Sequence, residues 1–250
     1  MPWILMPEWN LINSIIYSLA AFFVIGFGVL ERKGWLTLNY SKFRTSHGIS
    51  SRLGMFLLYF IPLIVMNLCS LLFLEQLSFV QASIILAINL HFAKRCLEVL
   101  FLHKYSGPIN WPTVIQIAIA YSGAAAMLAF LNRNPLAAPD ALFWIGVLLF
   151  SVGQLFNFYH HKLLADLRSV DTGYAIPKGG LFDWVTAPHY LMELSAWLGI
   201  AFMSRHFAAY LIFAWTCSYL FARAARTHEW YLEKFADYPK DRRVIVPFIL

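Results

Sequence analysis

The chain has 250 residues, of which 60% are hydrophobic and only 13% are charged. Soluble domains are closer to half apolar and a quarter charged, so this composition excludes an ordinary soluble protein and indicates one polytopic membrane domain over residues 1–250. The net charge of +6 comes with no nucleic-acid-binding motif, and we therefore expect no nucleic-acid partner. The N-terminus lacks the pattern of a removable signal peptide.

Seven apolar stretches are long enough, or nearly so, to cross a bilayer of about 30 Å, which takes roughly 20 helical residues. The third, sixth and seventh are interrupted or shortened by polar groups. We predict an all-α fold with seven transmembrane helices. The stretches are 12–30, 53–74, 78–101, 112–132, 140–159, 181–203 and 207–222.

The distribution of basic residues predicts the orientation. With the N-terminus outside, all but two of the 19 Lys and Arg residues fall in the inner segments 31–52, 94–110, 160–180 and 223–250. The exceptions are Arg133 and Arg205. This agrees with the positive-inside rule and predicts a cytosolic C-terminus. The unusual polar residues also lie at the inner ends of their stretches, which predicts a site facing the cytosol.

The third stretch ends in His91, Lys94, Arg95 and Glu98, which share one helical face at i, i+3, i+4 and i+7. One interpretation is a snorkelling interface in which the glutamate pairs with a basic neighbour. The other is a helix end that positions a phosphate. Both interpretations remain open at this point.

The fifth stretch ends in a second polar group. Asn157 and His161 lie four residues apart on one face, and Arg168 returns to that face and could clamp a phosphate. His160 and His161 raise the question of metal binding. Adjacent helical residues point about 100° apart, and no cysteine or carboxylate completes a ligand set nearby, so we predict no metal site.

The sixth stretch contains Pro188-His189-Tyr190, followed by Glu193. The proline should kink or restart the helix. Tyr190, Glu193 and Trp197 recur at i, i+3 and i+7, and three polar side chains along one strip of a membrane helix indicate a functional role. The preceding 176–180 segment, IPKGG, is a turn; it is not a dinucleotide-binding GxGxxG motif.

The C-terminal tail is too basic and aromatic to lie in lipid. It could bind anionic lipid headgroups, or it could cap a polyphosphate ligand. Its residues are Arg223, Arg226, His228, Tyr231, Lys234, Tyr238, Arg242 and Arg243.

Residues from about 91 to 250 resemble the steroid 5α-reductase family, which also contains polyprenal reductases and trans-2-enoyl-CoA reductases. The resemblance is carried by NFYHHKLLADLR, GYAIPKGGLFDWVTAPHYLMEL and HEWYLEKFADYPKDRRVIVPFIL; HFAKRCLEVLFLHKYSG is similar to the enoyl-CoA reductase branch. The resemblance implies that NADPH binds from the cytosol and that a C=C bond conjugated to a carbonyl is reduced. Motif by motif, it implies an NADPH site of Asn157, Arg168, Tyr174, Glu193, Arg223, His228, Tyr231 and Arg242.

The chain departs from the steroid branch at several positions. His189 stands where that branch carries asparagine, and His161 where it carries aspartate. The branch's His-Tyr pair is His91-Phe92 here, and its glutamate on the second span is replaced by a segment offering Tyr59 or Phe60. The Pro-Asn-Tyr motif of enoyl-CoA reductases is matched by Pro188-His189-Tyr190.

We therefore expect an integral membrane reductase, in the endoplasmic reticulum of a eukaryote or the inner membrane of a bacterium. A lipidic substrate would enter from the bilayer. The alternatives are an isoprenylcysteine-type membrane methyltransferase and a non-enzymatic lipid-binding homologue. The predicted catalytic residues are Tyr190, Glu193 and His91. The predicted cofactor residues are Lys94, Arg95, Asn157, His161, Arg168, Tyr174, His189, Glu193, Arg223, His228, Tyr231, Tyr238 and Arg242.

Overall fold

The computed structural model describes residues 2–35, 38, 41–43, 47–72, 77–105, 107–131, 138–170 and 174–249. The prediction of a mostly helical fold is confirmed. Each predicted apolar stretch corresponds to one helix in these ranges. The helices are α1 (Leu11–Arg32), α2 (Ser51–Leu71), α3 (Phe79–Leu97), α4 (Trp111–Leu131), α5 (Ala141–Val170), α6 (Pro188–Ser204) and α7 (Phe207–Lys234).

Two helices differ from the prediction because of local chemistry. α6 begins at Pro188 instead of residue 181, since proline lacks an N–H and suits the first helical position. Residues Gly180–Asp183 form a separate 3₁₀ turn before it. α7 continues to Lys234, well beyond the predicted end at 222, because its polar last turns pack against neighbouring segments instead of lipid.

Five helices are long and apolar enough to cross a membrane: α1, α2, α4, α5 and α7. α6 has only 17 residues, and α3 carries several polar side chains in its last two turns. Seven crossings and the orientation therefore stay predictions. Large apolar side chains such as Phe22, Phe23 and Ile25 are exposed along α1, as lipid contact requires.

α5 and α6 approach each other more closely than side chains normally allow. A Cβ on Gly199 would lie 2.5 Å from the carbonyl oxygen of Gly146, and a Cβ on Gly153 would lie 2.6 Å from the amide nitrogen of Ala196. Only glycine fits at these backbone contacts. These contacts join the first half of α5 to the second half of α6. The antiparallel pair then continues to the C-terminal half of α5 and the start of α6, where Asn157 donates to the carbonyl of His189.

The connections at the two ends of the helices are also fixed, by a strand pair and by hydrogen bonds. β1 (Ile49–Ser50) pairs with β2 (Pro108–Ile109) in a short antiparallel ladder, the one element in the described ranges that departs from the all-α prediction. Arg205 is buried; it donates to the carbonyl of Pro2 and pairs with Asp140. Arg133 lies outside the described residues.

Candidate functional site

A cavity of about 200 Å³ lies between α2, α3, α5, α6 and α7. Residues from the third, fifth and sixth apolar stretches and from the C-terminal tail line it together. The predicted residues lining it are Arg95, His161, Arg168, Tyr174, His189, Tyr190, Glu193, Arg223 and Tyr231.

His91, a predicted catalytic residue, is not among the described residues that line the cavity. It is only 2% exposed and packs edge-on against Phe92 and Trp197. Gln154 Nε2 lies 2.9 Å from its Nδ1 and donates to it when that nitrogen is unprotonated. The structure thus places His91 in the packed core behind the cavity.

Lys94 and Asn157 also lie behind the cavity wall and support it. Lys94 Nζ donates to Asn157 Oδ1 at 2.6 Å, and Asn157 Nδ2 donates to the backbone carbonyl of His189 at 2.8 Å. This chain of bonds joins α3 and α5 to the first turn of α6. Asn157 therefore fixes the position of His189 from behind.

Three tail residues support the opposite wall. Thr186, which lines the cavity, has its hydroxyl 2.6 Å from His228 Nδ1 and 2.8 Å from Tyr238 Oη. Arg242 donates to the carbonyl of Pro177 in the IPKGG turn at 3.0 Å. The tail thus folds back over the 176–186 segment.

Arg95, Glu98, His161 and Tyr59 form what we call the paired cluster. Arg95 is 6% exposed and Glu98 2%, and the two side chains form an ion pair. Arg95 Nη2 donates to Tyr59 Oη at 2.8 Å. His161 Nδ1 lies 2.7 Å from Arg95 Nη1 and 2.9 Å from Glu98 Oε2, so it either accepts from the guanidinium or donates to the carboxylate.

The paired cluster corrects two expectations. Glu98 pairs with Arg95 and, at 3.0 Å, with Lys94, as the first interpretation predicted, but the carboxylate is buried instead of lying at a snorkelling interface. The expectation that no carboxylate completes a ligand set with His161 was wrong, because folding brings Glu98 and His103 to it, with ligand atoms within 4.8 Å of one another. The guanidinium of Arg95 already occupies this triad as its cation, which argues against an additional metal ion.

Glu193 and His189 place polar groups on the α6 side of the cavity. Glu193 is 6% exposed and lines the cavity. His189 Nδ1 is buried and lacks a hydrogen-bond partner within the described ranges. The His189 and Tyr190 rings lie 4.2 Å apart between centroids. Buried polar groups without partners are costly, and such groups facing a cavity indicate a ligand that satisfies them.

Lys42, Lys104 and Arg168 form a second set of cations at the same cavity, which we call the unpaired group. None of them makes an ion pair with a residue that the structure describes. Arg168 Nη1 donates to the backbone carbonyl of Lys104 at 2.7 Å. The nearby His103 adds no charge, because burial and the His161 and Arg95 side chains lower its pKa to about 2.

Three further residues line the cavity that were not predicted as site residues: Lys42, Lys104 and Tyr59. Both lysines lie in the basic inner segments, which were used only to predict the orientation of the chain in the membrane. Tyr59 lies at the position where the steroid branch carries a glutamate. It is on α2 and lines the cavity. No spacing pattern in the sequence connects these residues to α5 or α7.

Arg223, predicted to hold phosphate, is largely engaged within the protein. Its Nη1 lies 3.2 Å from Glu31 Oε1 and donates to the carbonyl of Leu38 at 2.9 Å. Arg226 also pairs with Glu31, at 3.0 Å. Both guanidinium groups lie over the ring of Phe43, at 4.5 and 4.4 Å from its centroid. Arg223 thus fixes the α1–α2 connection against α7 while still lining the cavity.

A smaller, mostly apolar cavity of about 50 Å³ adjoins the first one. Tyr59 and Tyr121, whose rings stack 5.9 Å apart, line both cavities. The polar cavity therefore meets an apolar one at the hydroxyl that Arg95 contacts. Further apolar walls come from Phe27, Leu58, Ile117 and Trp215.

The chain is similar to known proteins over its C-terminal half and beyond. The family described as 3-oxo-5-alpha-steroid 4-dehydrogenase matches residues 119–250. A steroid 5-alpha-reductase of Solanum lycopersicum is 44% identical over 115 residues, covering 44% of this chain and 45% of the relative. A very-long-chain enoyl-CoA reductase of Dictyostelium discoideum is 30% identical over 178 residues, covering 69% and 59%.

A 3-oxo-5-alpha-steroid 4-dehydrogenase 1 of Bos taurus is 34% identical over 184 residues, covering 70% of this chain and 71% of the relative. For the tomato and Dictyostelium proteins, the matched part spans only about half of the relative's length. The family match nevertheless extends over more than half of this sequence and includes α5, α6, α7 and the tail. The chain therefore belongs to the 3-oxo-5-alpha-steroid 4-dehydrogenase family.

Proposed function

We propose that this protein is a membrane reductase that uses NADPH to reduce a C=C bond conjugated to a carbonyl in a lipidic substrate. The observation that carries the proposal is the junction at Tyr59, where a cavity rich in cations meets an apolar one. The phosphates of a dinucleotide require the cation-rich cavity, and a lipidic substrate requires the apolar one. The names of the relatives add steroids and enoyl thioesters as substrate classes, and polyprenals are a third candidate.

The residues at the cavity fit NADPH. The Glu193 carboxylate and the unpartnered Nδ1 of His189 suit the amide of a nicotinamide, which offers both a donor and an acceptor. Lys42, Lys104 and Arg168 suit phosphate. When bound, this cofactor would supply the hydride.

The side chains at the junction would then act on the substrate. Arg95 holds the Tyr59 hydroxyl, and both groups would stabilise negative charge developing on the carbonyl oxygen. Fixed donors at such an oxygen are worth about 2.7–4 kcal/mol in a site that excludes water. Tyr190 would donate the proton that completes the reduction, and Asn157 would keep the adjacent His189 in position.

The proposal includes seven crossings and a cavity open to the cytosol. α3 and α6 would cross with their polar groups turned toward the protein interior, as charged side chains in membranes normally are. The basic inner segments support this orientation. The membrane would be the endoplasmic reticulum in a eukaryote or the inner membrane in a bacterium.

The test is an NADPH-oxidation assay on the protein in liposomes, with a 3-oxo-4-ene steroid, a long-chain enoyl-CoA and a polyprenal. We expect turnover with at least one substrate, and a fall of about 100-fold in kcat for Tyr190→Phe, the loss of one positioned proton donor. Tyr210→Phe is the matched control, because its hydroxyl donates to the carbonyl of Trp3, away from the cavity. Full turnover by Tyr190→Phe would exclude it as the proton donor.

A second arm separates the competing classes. Binding of S-adenosylmethionine without NADPH binding would support the methyltransferase alternative. Binding of the lipids without oxidation of NADPH would support the non-enzymatic one. Family membership favours the reductase over both.

A further inference from the structure

Lys42 lies in the connection between α1 and α2, which carries no recognised motif. Its ammonium reaches the cavity formed by the C-terminal helices. The Nζ atom lies 4.3 Å from the ring centroid of Tyr231, 5.3 Å from that of Trp230 and 5.8 Å from that of Tyr174. Three aromatic rings thus surround one cation, an arrangement that holds it without neutralising it.

The rings that surround Lys42 are themselves fixed. Tyr231 stacks on Tyr238 with centroids 5.1 Å apart and planes 11° from parallel. Trp230 contacts Tyr231 and Tyr174 edge-on. Tyr238 is in turn bound to Thr186. The position of the ammonium is therefore set before any ligand arrives, which lowers the ordering cost of binding.

The Tyr174 ring also faces a second cation. Arg168 lies 5.5 Å from its centroid, so two positive groups flank one ring. Neither cation has a carboxylate partner within the described ranges. Burial, together with the charges of Arg168 and Arg223, lowers the pKa of Lys42 to about 7. Like charges held together in this way are relieved by an anion that contacts both.

We propose that Lys42 and Arg168 form a phosphomonoester subsite, and that Lys42 makes the protein bind a dinucleotide with this extra phosphate more tightly than one without it. A phosphomonoester carries close to two negative charges near neutral pH and matches two cations, whereas each phosphate of a pyrophosphate diester carries only one. The inference rests on the proposed use of NADPH. It adds a residue from outside the segments that resemble the family and gives that residue a specific task.

The test compares the binding of NADPH and NADH by calorimetry on the purified full-length protein, without substrate. We expect Lys42→Gln to weaken NADPH binding about tenfold, the loss of one charge-assisted hydrogen bond, and to leave NADH binding nearly unchanged. Lys42→Arg should keep the preference for NADPH. The matched control is Lys33→Gln, because Lys33 also lies over a ring, 4.7 Å from Trp35, but away from this cavity.

The outcomes are distinct. Equal losses for both dinucleotides would assign Lys42 to the pyrophosphate and overturn the proposal. Unchanged affinities for both dinucleotides in Lys42→Gln would also overturn the proposal, while leaving the proposed function standing. A wild-type protein that binds neither dinucleotide would contradict the proposed function itself. If Lys42→Gln unfolds, the ratio of NADPH to NADH affinity in Lys42→Arg still tests the proposal. Loss of the preference for NADPH in that variant would contradict a contact that depends on charge.

Discussion

The paired cluster and the unpaired group line the same cavity, but their charges are balanced in opposite ways. Arg95 is bound by Glu98, His161 and Tyr59, so its charge is satisfied within the protein. Lys42 and Arg168 have only aromatic rings and a backbone carbonyl as described partners. One cation is fixed by the fold, while the other two are held ready for an anion.

This difference separates positioning from binding. A buried cation with its own carboxylate gains little from a second anion, but it can orient a neighbour such as the Tyr59 hydroxyl. A cation held by rings keeps most of its attraction for a phosphate, because the rings carry no net charge. We therefore expect changes in the paired cluster to alter stability and turnover, and changes in the unpaired group to alter affinity.

The largest effect should come from breaking the paired cluster with Glu98→Gln. This change leaves Arg95 and Lys94 without their shared carboxylate in a buried site, and removing one member of a buried ion pair typically costs about 3–5 kcal/mol. The free energy of unfolding in detergent measures it. Asp166→Asn is the control, because Asp166 pairs with Lys162 at the surface, where such pairs contribute about 0–1 kcal/mol. Equal destabilisation by both would show that the cluster is not buried as described.

Tyr59→Phe should have the next largest effect, on turnover instead of folding. It keeps the ring that stacks on Tyr121 and removes only the oxygen that Arg95 contacts. We expect kcat to fall about 100-fold, as on removal of one oxyanion donor, with NADPH affinity unchanged. Tyr210→Phe again serves as the control. A loss of NADPH affinity without a change in kcat would place Tyr59 in the binding group instead.

The sequence could predict the helices because each membrane-length stretch needs only its own composition and flanking residues. Pro188 is a clear case, since a proline without an N–H marks the start of α6 locally. The polar strip of Tyr190 and Glu193 was also predictable, because helical periodicity alone puts these two residues on one face.

The remaining parts of the site depend on contacts between distant segments. Glu98 meets His161 across 63 residues, and no local pattern predicts that pairing. His91 shares a face of α3 with Arg95 but lies one turn earlier, where it packs beside Trp197 instead of lining the cavity. Lys42 reaches Tyr231 only because the α1–α2 connection folds over α7. Tertiary packing, and not sequence spacing, decides which of these side chains meet the cavity.

The smallest effect concerns the pH dependence of the unpaired group. Arg168 from α5 and Arg223 from α7 are the charged groups that act on Lys42, and with burial they lower its pKa to about 7. A phosphate contact favours the charged ammonium, so NADPH binding should take up a proton. The dissociation constant should therefore rise above pH 7, by at most about tenfold per pH unit. Lys42→Arg should abolish this dependence, because a guanidinium stays charged throughout. NADH lacks the extra phosphate, so its dissociation constant should not depend on pH in the wild-type protein. If the dissociation constants of NADPH and NADH changed with pH in the same way, Lys42 would not be the contact of the phosphomonoester.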